Sequence, residues 1–299
     1  MPEMKKFIKR LVSFAGLLGM YFLIIAVCTS VYACYNSSIY RLDPSVKTLF
    51  AGDSHIEQAI DDRLLPNCKN IGRSAETYLF TFYKLKKILS RNPGISAVNL
   101  GIGCHNFSAK VNHEFTDGRY AATISPAYFY ALPAAQQLDV LKWNVAELPL
   151  FFRNILKSWA MPAITGGKFP IVGGYPTKAI ATTVSEKEVG KRIAFQYFNS
   201  GKISRFSTVD LQYLDSIIFL CRSRNIKLSL FSTPVHSSYH SKVPNAYQSK
   251  LKTVIMKCRI AYTDFSTLAL TDDCYLPDGD HLSAKGVKLL AYEIKKINP

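Results

Sequence analysis

The chain has 299 residues, 48% of them hydrophobic and 19% charged, which suits one domain with ample core plus an extra segment. Lys and Arg number 37 against 21 Asp and Glu, a net charge of +16. No dense basic run or nucleic-acid motif accompanies that charge, so nucleic-acid binding is not expected. The charge fits attraction to anionic polymers or lipid headgroups, or a dispersed solvated surface.

Residues 1–10 carry Lys5, Lys6, Lys9 and Arg10 against Glu3 alone, and residues 11–40 carry no charge. The apolar run from Leu11 to Ala33 is 23 residues, long enough to cross a hydrocarbon core of about 30 Å. The basic flank places residues 1–10 in the cytoplasm. Residues 11–34 then read as a single-pass transmembrane signal-anchor and residues 35–45 as a linker. Residues 46–299 form an extracytoplasmic domain, periplasmic or extracellular. A cleaved signal peptide is the rival reading, with Ser30 to Ala33 as its cleavage site, but its apolar region normally spans about 7–15 residues. Ala26 and Val27 before Cys28 match a lipobox poorly.

The domain is organised around residues 46–55. Leu49, Phe50 and Ala51 read as a buried strand that stops at Gly52-Asp53-Ser54-His55. Ile56, Ala59, Ile60 and Leu64 then have helical spacing. A serine there sits at the carboxyl edge of a parallel sheet, where open α/β folds bind ligands. The helix N-terminus behind it favours negative charge developing nearby. Alone, Gly-Asp-Ser is also an ordinary turn and N-cap. Residues 68–74 read as a second strand and turn, and residues 77–90 as a helix. Residues 95–103 read as a third strand, ending in Cys104-His105-Asn106-Phe107.

Residues 107–200 form an aromatic-rich insertion, with Tyr120, Tyr128, Phe129, Tyr130, Trp143, Phe151, Phe152 and Trp159. Its aromatic side chains fit a core or a sugar platform, and the segment caps the site or meets the membrane. Residues 142–157 are expected to be helical with a kink at Leu148-Pro149, and Gly166 to Pro170 and Gly173 to Pro176 to be loops. Beyond it, helix (209–224), strand (226–231), helix (244–258) and strand (261–265) alternate. His236, just past the fourth strand, lines the site or lies on the surface. A loop at 272–282 carries Asp278, Asp280 and His281, and a helix (283–297) closes the chain. This alternation predicts a three-layer α/β/α sandwich with a mainly parallel, flavodoxin-like sheet, preceded by one transmembrane helix. The seven cysteines have no CxxC pair or zinc-like spacing, so no metal is expected.

Gly52-Asp53-Ser54, with Asp278 three residues before His281 and Gly286 five after it, resembles the first and last sequence blocks of the SGNH/GDSL hydrolases. The likeness spans residues 46–299, although only these two blocks match sharply. His55 stands where the family usually has leucine. The resemblance implies Ser54 as nucleophile, His281 as base and Asp278 as the acid orienting it, with no cofactor. It also implies an oxyanion hole from the Ser54 and Gly72 N–H groups and a side-chain donor in the third block. That block departs from the family, so Asn106 serves only if its loop bulges, with His105 the alternative. Asp53, His55, His105 and His236 are the remaining site-lining candidates.

A serine hydroxyl becomes nucleophilic when a base takes its proton, and histidine is that base at neutral pH. An outward-facing site on a membrane anchor suits acyl esters, acetyl above all, on envelope or exported glycans. The architecture is similar to D-alanyl transfer and alginate O-acetylation proteins, which implies a membrane-bound O-acyltransferase partner. Hydrolysis and transfer both remain open. The alternatives are a catalytically silent scaffold that binds glycan or a membrane partner, and an unrelated α/β protein.

Overall fold

Residues 2–35, 37–109, 118–176 and 183–297 are described by a computed structural model. Residues 110–117 and 177–182, part of the expected insertion, lie outside the described residues. Strands β1 (Thr48–Ala51), β2 (Cys68–Asn70) and β3 (Ala97–Gly101) come first. Next are the short antiparallel pair β4 (Phe198–Asn199) and β5 (Lys202–Ile203), then β6 (Lys227–Ser232) and β7 (Ala261–Asp264). Five of them form a parallel sheet in the order β2-β1-β3-β6-β7. The chain runs outward from β1 to β2, then crosses back to β3 on the other side. Its direction reverses between β1 and β3, which is where ligands of doubly wound sheets bind.

The helices in chain order are α1 (Pro2–Tyr35), α2 (Ser54–Ala59), α3 (Tyr78–Arg91), α4 (Gly118–Ile124), α5 (Ala134–Trp143), α6 (Leu148–Ile155) and α7 (Met161–Thr165). They continue with α8 (Glu186–Tyr197), α9 (Thr208–Ser223), α10 (Ser237–His240), α11 (Asn245–Cys258) and α12 (Ala284–Ile297). Along β1 the side chains alternate between faces. Leu49 and Ala51 join the core shared with α3, α9 and α11. Phe50 joins a second core made by Ile56 of α2 and by Val287, Leu290 and Ile294 of α12. Two cores on opposite faces of one sheet make the expected three-layer sandwich, and each fully buried Leu, Ile or Phe contributes about 1.5–3 kcal/mol.

The insertion differs from its expectation. The break lies at Asn144, after α5, and Pro149 sits in the first turn of α6. Proline is tolerated there because first-turn N–H groups have no intrahelical partner, so the expected kink is a helix start. A π-helical turn, Leu156–Ala160, joins α6 to α7. The aromatic residues are mostly core: Tyr128, Phe151 and Trp159 are fully buried, and Trp159 Nε1 donates to the Pro126 carbonyl at 2.8 Å. Ile39 and Tyr40, in the stretch read as a linker, are also buried. In α1, Glu3–Ile25 is long and apolar enough to cross a membrane, with no part of it buried by the rest of the chain. The thiols of Cys28, Cys68, Cys104, Cys221, Cys258 and Cys274 are free.

Candidate active site

Ser54 is the first residue of α2, and its place is set by three backbone devices. Gly52 takes a φ of 145°, which lets the chain leave β1 sharply. Asp53 caps the helix, accepting the His55 N–H at 2.9 Å. At the other end Asn70, fully buried, donates to the Ile56 and Ile60 carbonyls at 3.0 and 2.7 Å. The Ile56 carbonyl also accepts the Ile60 N–H at 3.2 Å, so Asn70 adds a side-chain clamp to the end of the helix. α2 also lies hard against the β2 turn, because a Cβ on Gly72 would meet Glu57 N at 2.6 Å.

Ser54, His281 and Asp278 form a hydrogen-bonded chain. His281 Nε2 lies 2.9 Å from Ser54 Oγ, and His281 Nδ1 lies 2.7 Å from Asp278 Oδ2. The other Asp278 oxygen accepts the backbone N–H groups of Asp280 and His281 at 3.1 and 3.2 Å, which fixes the carboxylate in its loop. Burial raises the Asp278 pKa, but the His281 hydrogen bond and charge outweigh it, so the carboxyl lies below its usual range.

Two further acids surround this chain. Asp53 Oδ2 lies 2.6 Å from His105 Nε2 and accepts from Asn106 Nδ2 at 2.9 Å. A single 3₁₀ turn, Cys104–Phe107, makes this reach possible, held by the Gly103 N–H on Asn106 Oδ1 at 2.7 Å. The loop therefore folds as a 3₁₀ turn in which the Asn106 amide is engaged by Gly103 and Asp53. Burial opposes ionisation of Asp53, yet the facing His105 and His55 hold its carboxyl well below the usual range. Asp280 faces His55 instead of His281, with His55 Nε2 at 3.0 Å. Its second oxygen accepts from Arg192 Nε at 2.5 Å and Gln196 Nε2 at 2.9 Å. Burial is again overcome, by His55 and Arg192, and Asp280 stays well below its usual pKa. The His55 ring stacks on His105 at 4.1 Å and lies 5.2 Å from His281.

Two expected site residues are placed differently. The Gly72 N–H donates to Asn70 Oδ1 at 2.8 Å, so it is already used, and Gly72 does not line the cavity at Ser54. His236 caps α10, accepting the Ser238 N–H at 3.2 Å, and its Nε2 lies 3.1 Å from the exposed Asp272. It braces the loop through its N–H on the Gly279 carbonyl at 2.8 Å and lies outside the cavity at Ser54.

Four features escaped the sequence reading. Asn70 and Arg192 carry no spacing signal. Ala75 stands in the left-handed region with φ 61° at the cavity wall, where alanine gives no turn signal. Glu76 and Lys84 are fully buried in side chain and paired; Lys84 also donates to the Ile71 carbonyl, and Tyr128 Oη donates to Glu76 at 2.7 Å. Together they fasten the β2 turn to α3 and the insertion.

The donor atoms of His55, Asp280 and His281 lie within 4.8 Å of one another, close enough for a metal ion. Each already faces a protein partner, and Arg192 Nη2 stands 3.5 Å from His281 Nε2, which disfavours a cation there. The cavity beside Ser54 measures about 240 Å³. Asp53, His105, Asn106, Ala75 and His281 line it, with Tyr120 from α4 and Arg192, Phe195 and Gln196 from α8.

No protein-family model and no curated protein matches the chain. Among solved structures, it is similar to a protein from Streptococcus pneumonia with the provisional description platelet activating factor. Identity is 14% over 96% of this chain and 98% of that one, with a TM-score of 0.41. A GDSL-like lipase from Bacteroides thetaiotaomicron is 10% identical over 90% and 97%, with a TM-score of 0.40. A provisional acylhydrolase from Bacteroides fragilis is 12% identical over 89% and 93%, with a TM-score of 0.38.

Proposed function

We propose that the chain is an SGNH/GDSL-type serine esterase or O-acyltransferase, anchored by α1 with residues 46–299 outside the cytoplasm. The observation that carries this reading is the chain from Ser54 Oγ through His281 to Asp278, at 2.9 and 2.7 Å, opening on one cavity. Ser54 Oγ attacks the ester carbonyl carbon while its proton passes to His281 Nε2. Asp278 holds the imidazole tautomer and stabilises the imidazolium. The Ser54 N–H, the second N–H of Asn106 Nδ2 and the backbone N–H of Ala75 receive the oxyanion. Each such donor is typically worth about 3–4 kcal/mol. The carbon–oxygen bond then breaks, His281 returns the proton to the leaving alcohol, and the acyl group stays on Ser54. Water, or a sugar hydroxyl in transfer, gives its proton to His281 and attacks the acyl carbon, the bond to Ser54 Oγ breaks, and His281 returns that proton to Ser54.

A cavity of about 240 Å³ suits a short acyl group such as acetyl. The anchor suits glycan esters of the envelope or exported glycans, with a membrane-bound O-acyltransferase as donor if the reaction is transfer. The test is fluorophosphonate labelling of the full chain. Label is expected on Ser54, and none on folded Ser54→Ala or His281→Ala. Unlabelled wild type, or wild-type turnover of a short acyl ester by either folded variant, sinks the reading.

A further inference from the structure

The insertion's outer surface was not absorbed by the active site. Ile164 is 80% exposed, more than any other large hydrophobic side chain among the described residues, and Met161, on the same short helix α7, is 52% exposed. Phe152, at the end of α6, is 39% exposed. From Leu148 to Ser185 the sequence has no Asp or Glu, and its charged residues are Arg153, Lys157, Lys168 and Lys178. The first three are exposed. Apolar side chains flanked only by cations are what an anionic lipid surface attracts.

The anchor fixes the height of this surface. The uncharged run begins at Leu11, and an α-helix rises about 1.5 Å per residue, so a core of about 30 Å is crossed by about 20 residues. Counting from Leu11, the outer boundary falls near Ser30. Tyr32, two residues further along the same helix, stacks on Phe169 at 6.1 Å. Tyr32 and Pro162, Ala163 and Gly166 of the α7 region line one pocket, and α1 packs on the π turn Leu156–Ala160 that leads into α7. A helix docked at that level cannot stand far from the headgroups.

We propose that α7 and the end of α6 form a second, interfacial membrane contact, in which Met161, Ile164 and Phe152 enter the headgroup boundary while Arg153, Lys157 and Lys168 meet anionic phosphates. The partner is the outer lipid surface, continuous with the bilayer that α1 crosses. This rests on the reading of α1 as an uncleaved anchor.

The test uses the full chain in nanodiscs of phosphatidylglycerol and phosphatidylcholine containing a photoactivatable diazirine phospholipid, with adducts mapped by mass spectrometry. Adducts are expected on α1 and, several-fold above background, on the peptides of residues 148–168. Background is set by peptides bearing Phe219 and Met256, which are 74% and 72% exposed on α9 and α11. The pair Met161→Glu and Ile164→Glu should lower the 148–168 adducts to background and leave those on α1 unchanged. Background labelling of 148–168 in wild type, with α1 labelled, overturns the second contact and leaves the anchor standing. An unlabelled α1 overturns the anchor and this proposal with it, while the fluorophosphonate result at Ser54 is unaffected.

Discussion

The carboxyl edge of the sheet and the insertion solve the same problem differently. At the edge, loops are held by charge: Asp53 takes His105, Asp278 takes His281, and Asp280 takes His55 and Arg192. In the insertion, segments are held by rings, with Tyr130 edge-on to Trp159 at 5.0 Å and Phe129 edge-on to Phe151 at 5.4 Å. A charged pair needs one partner at one distance, whereas an aromatic cluster shares its contacts among many neighbours. Substitutions at the edge should therefore cost activity, and substitutions in the apolar packing should cost stability.

Glu76 and Lys84 break that rule most sharply. They are a charged pair, fully buried, placed where the β2 turn meets the insertion. Lys84→Met leaves a carboxyl without its cation in a dry site, and such a loss typically costs about 3–5 kcal/mol. Chemical denaturation of the variant should show a loss of that size. Adding Glu76→Gln should restore most of it. If Lys84→Met alone is as stable as wild type, the pair is not what fastens the turn.

Asn106 tests the edge. Its amide donates to Asp53 with one N–H, and Asn106 lines the cavity beside Ser54. Asn106→Ala should lower kcat about 10²–10³-fold with little change in KM, because the lost bond forms mainly in the transition state. His105→Ala should loosen Asp53 and lower kcat by less than Asn106→Ala does. Equal, near-normal kcat in both folded variants would leave the oxyanion to backbone donors.

Asp53 gives a smaller, pH-dependent effect. Its carboxyl is held below the ordinary value in the folded chain. Its stabilising contribution is therefore fully present above the unfolded pKa of about 3.9, and is lost as pH falls below it toward the folded value. The stability gap between wild type and Asp53→Asn should be about 1–2 kcal/mol larger at pH 6 than at pH 3. A gap independent of pH would mean that the Asp53 carboxyl has the same pKa folded and unfolded, and a gap that shrinks toward pH 6 would mean that it is not ionised in the fold.

The same contrast explains what could be read from the sequence. Strand alternation and the Ser54 and His281 blocks are periodic or local signals, and the sheet, α3, α9, α11 and α12 all follow them. The insertion has short helices whose aromatic residues face one another without a fixed period, so α4 to α7 were not separable. α8 did carry a signal, with Glu186 and Glu188 in its first turn and Val189, Ile193 and Tyr197 buried at four-residue spacing. Gly190 in its middle weakens the pattern. Gly72 drew the oxyanion assignment through the family resemblance, yet the residue with the left-handed backbone at the cavity is Ala75.

Ala75 supplies the smallest predicted effect. A non-glycine residue at φ 61° pays steric strain of about 1–2 kcal/mol, because its Cβ crowds the following carbonyl. Ala75→Gly removes that strain but frees the unfolded chain, which costs about 0.4–1 kcal/mol. The two partly cancel, so Ala75→Gly should shift stability by about 0–1.6 kcal/mol, in the stabilising direction. Ala75→Val places a branched side chain in the same backbone region and should destabilise the fold and lower turnover together. Thermal unfolding of both variants decides the point. If Ala75→Val is the more stable of the two, the left-handed turn is not retained, and the donor assigned to that turn must be sought elsewhere on the cavity wall.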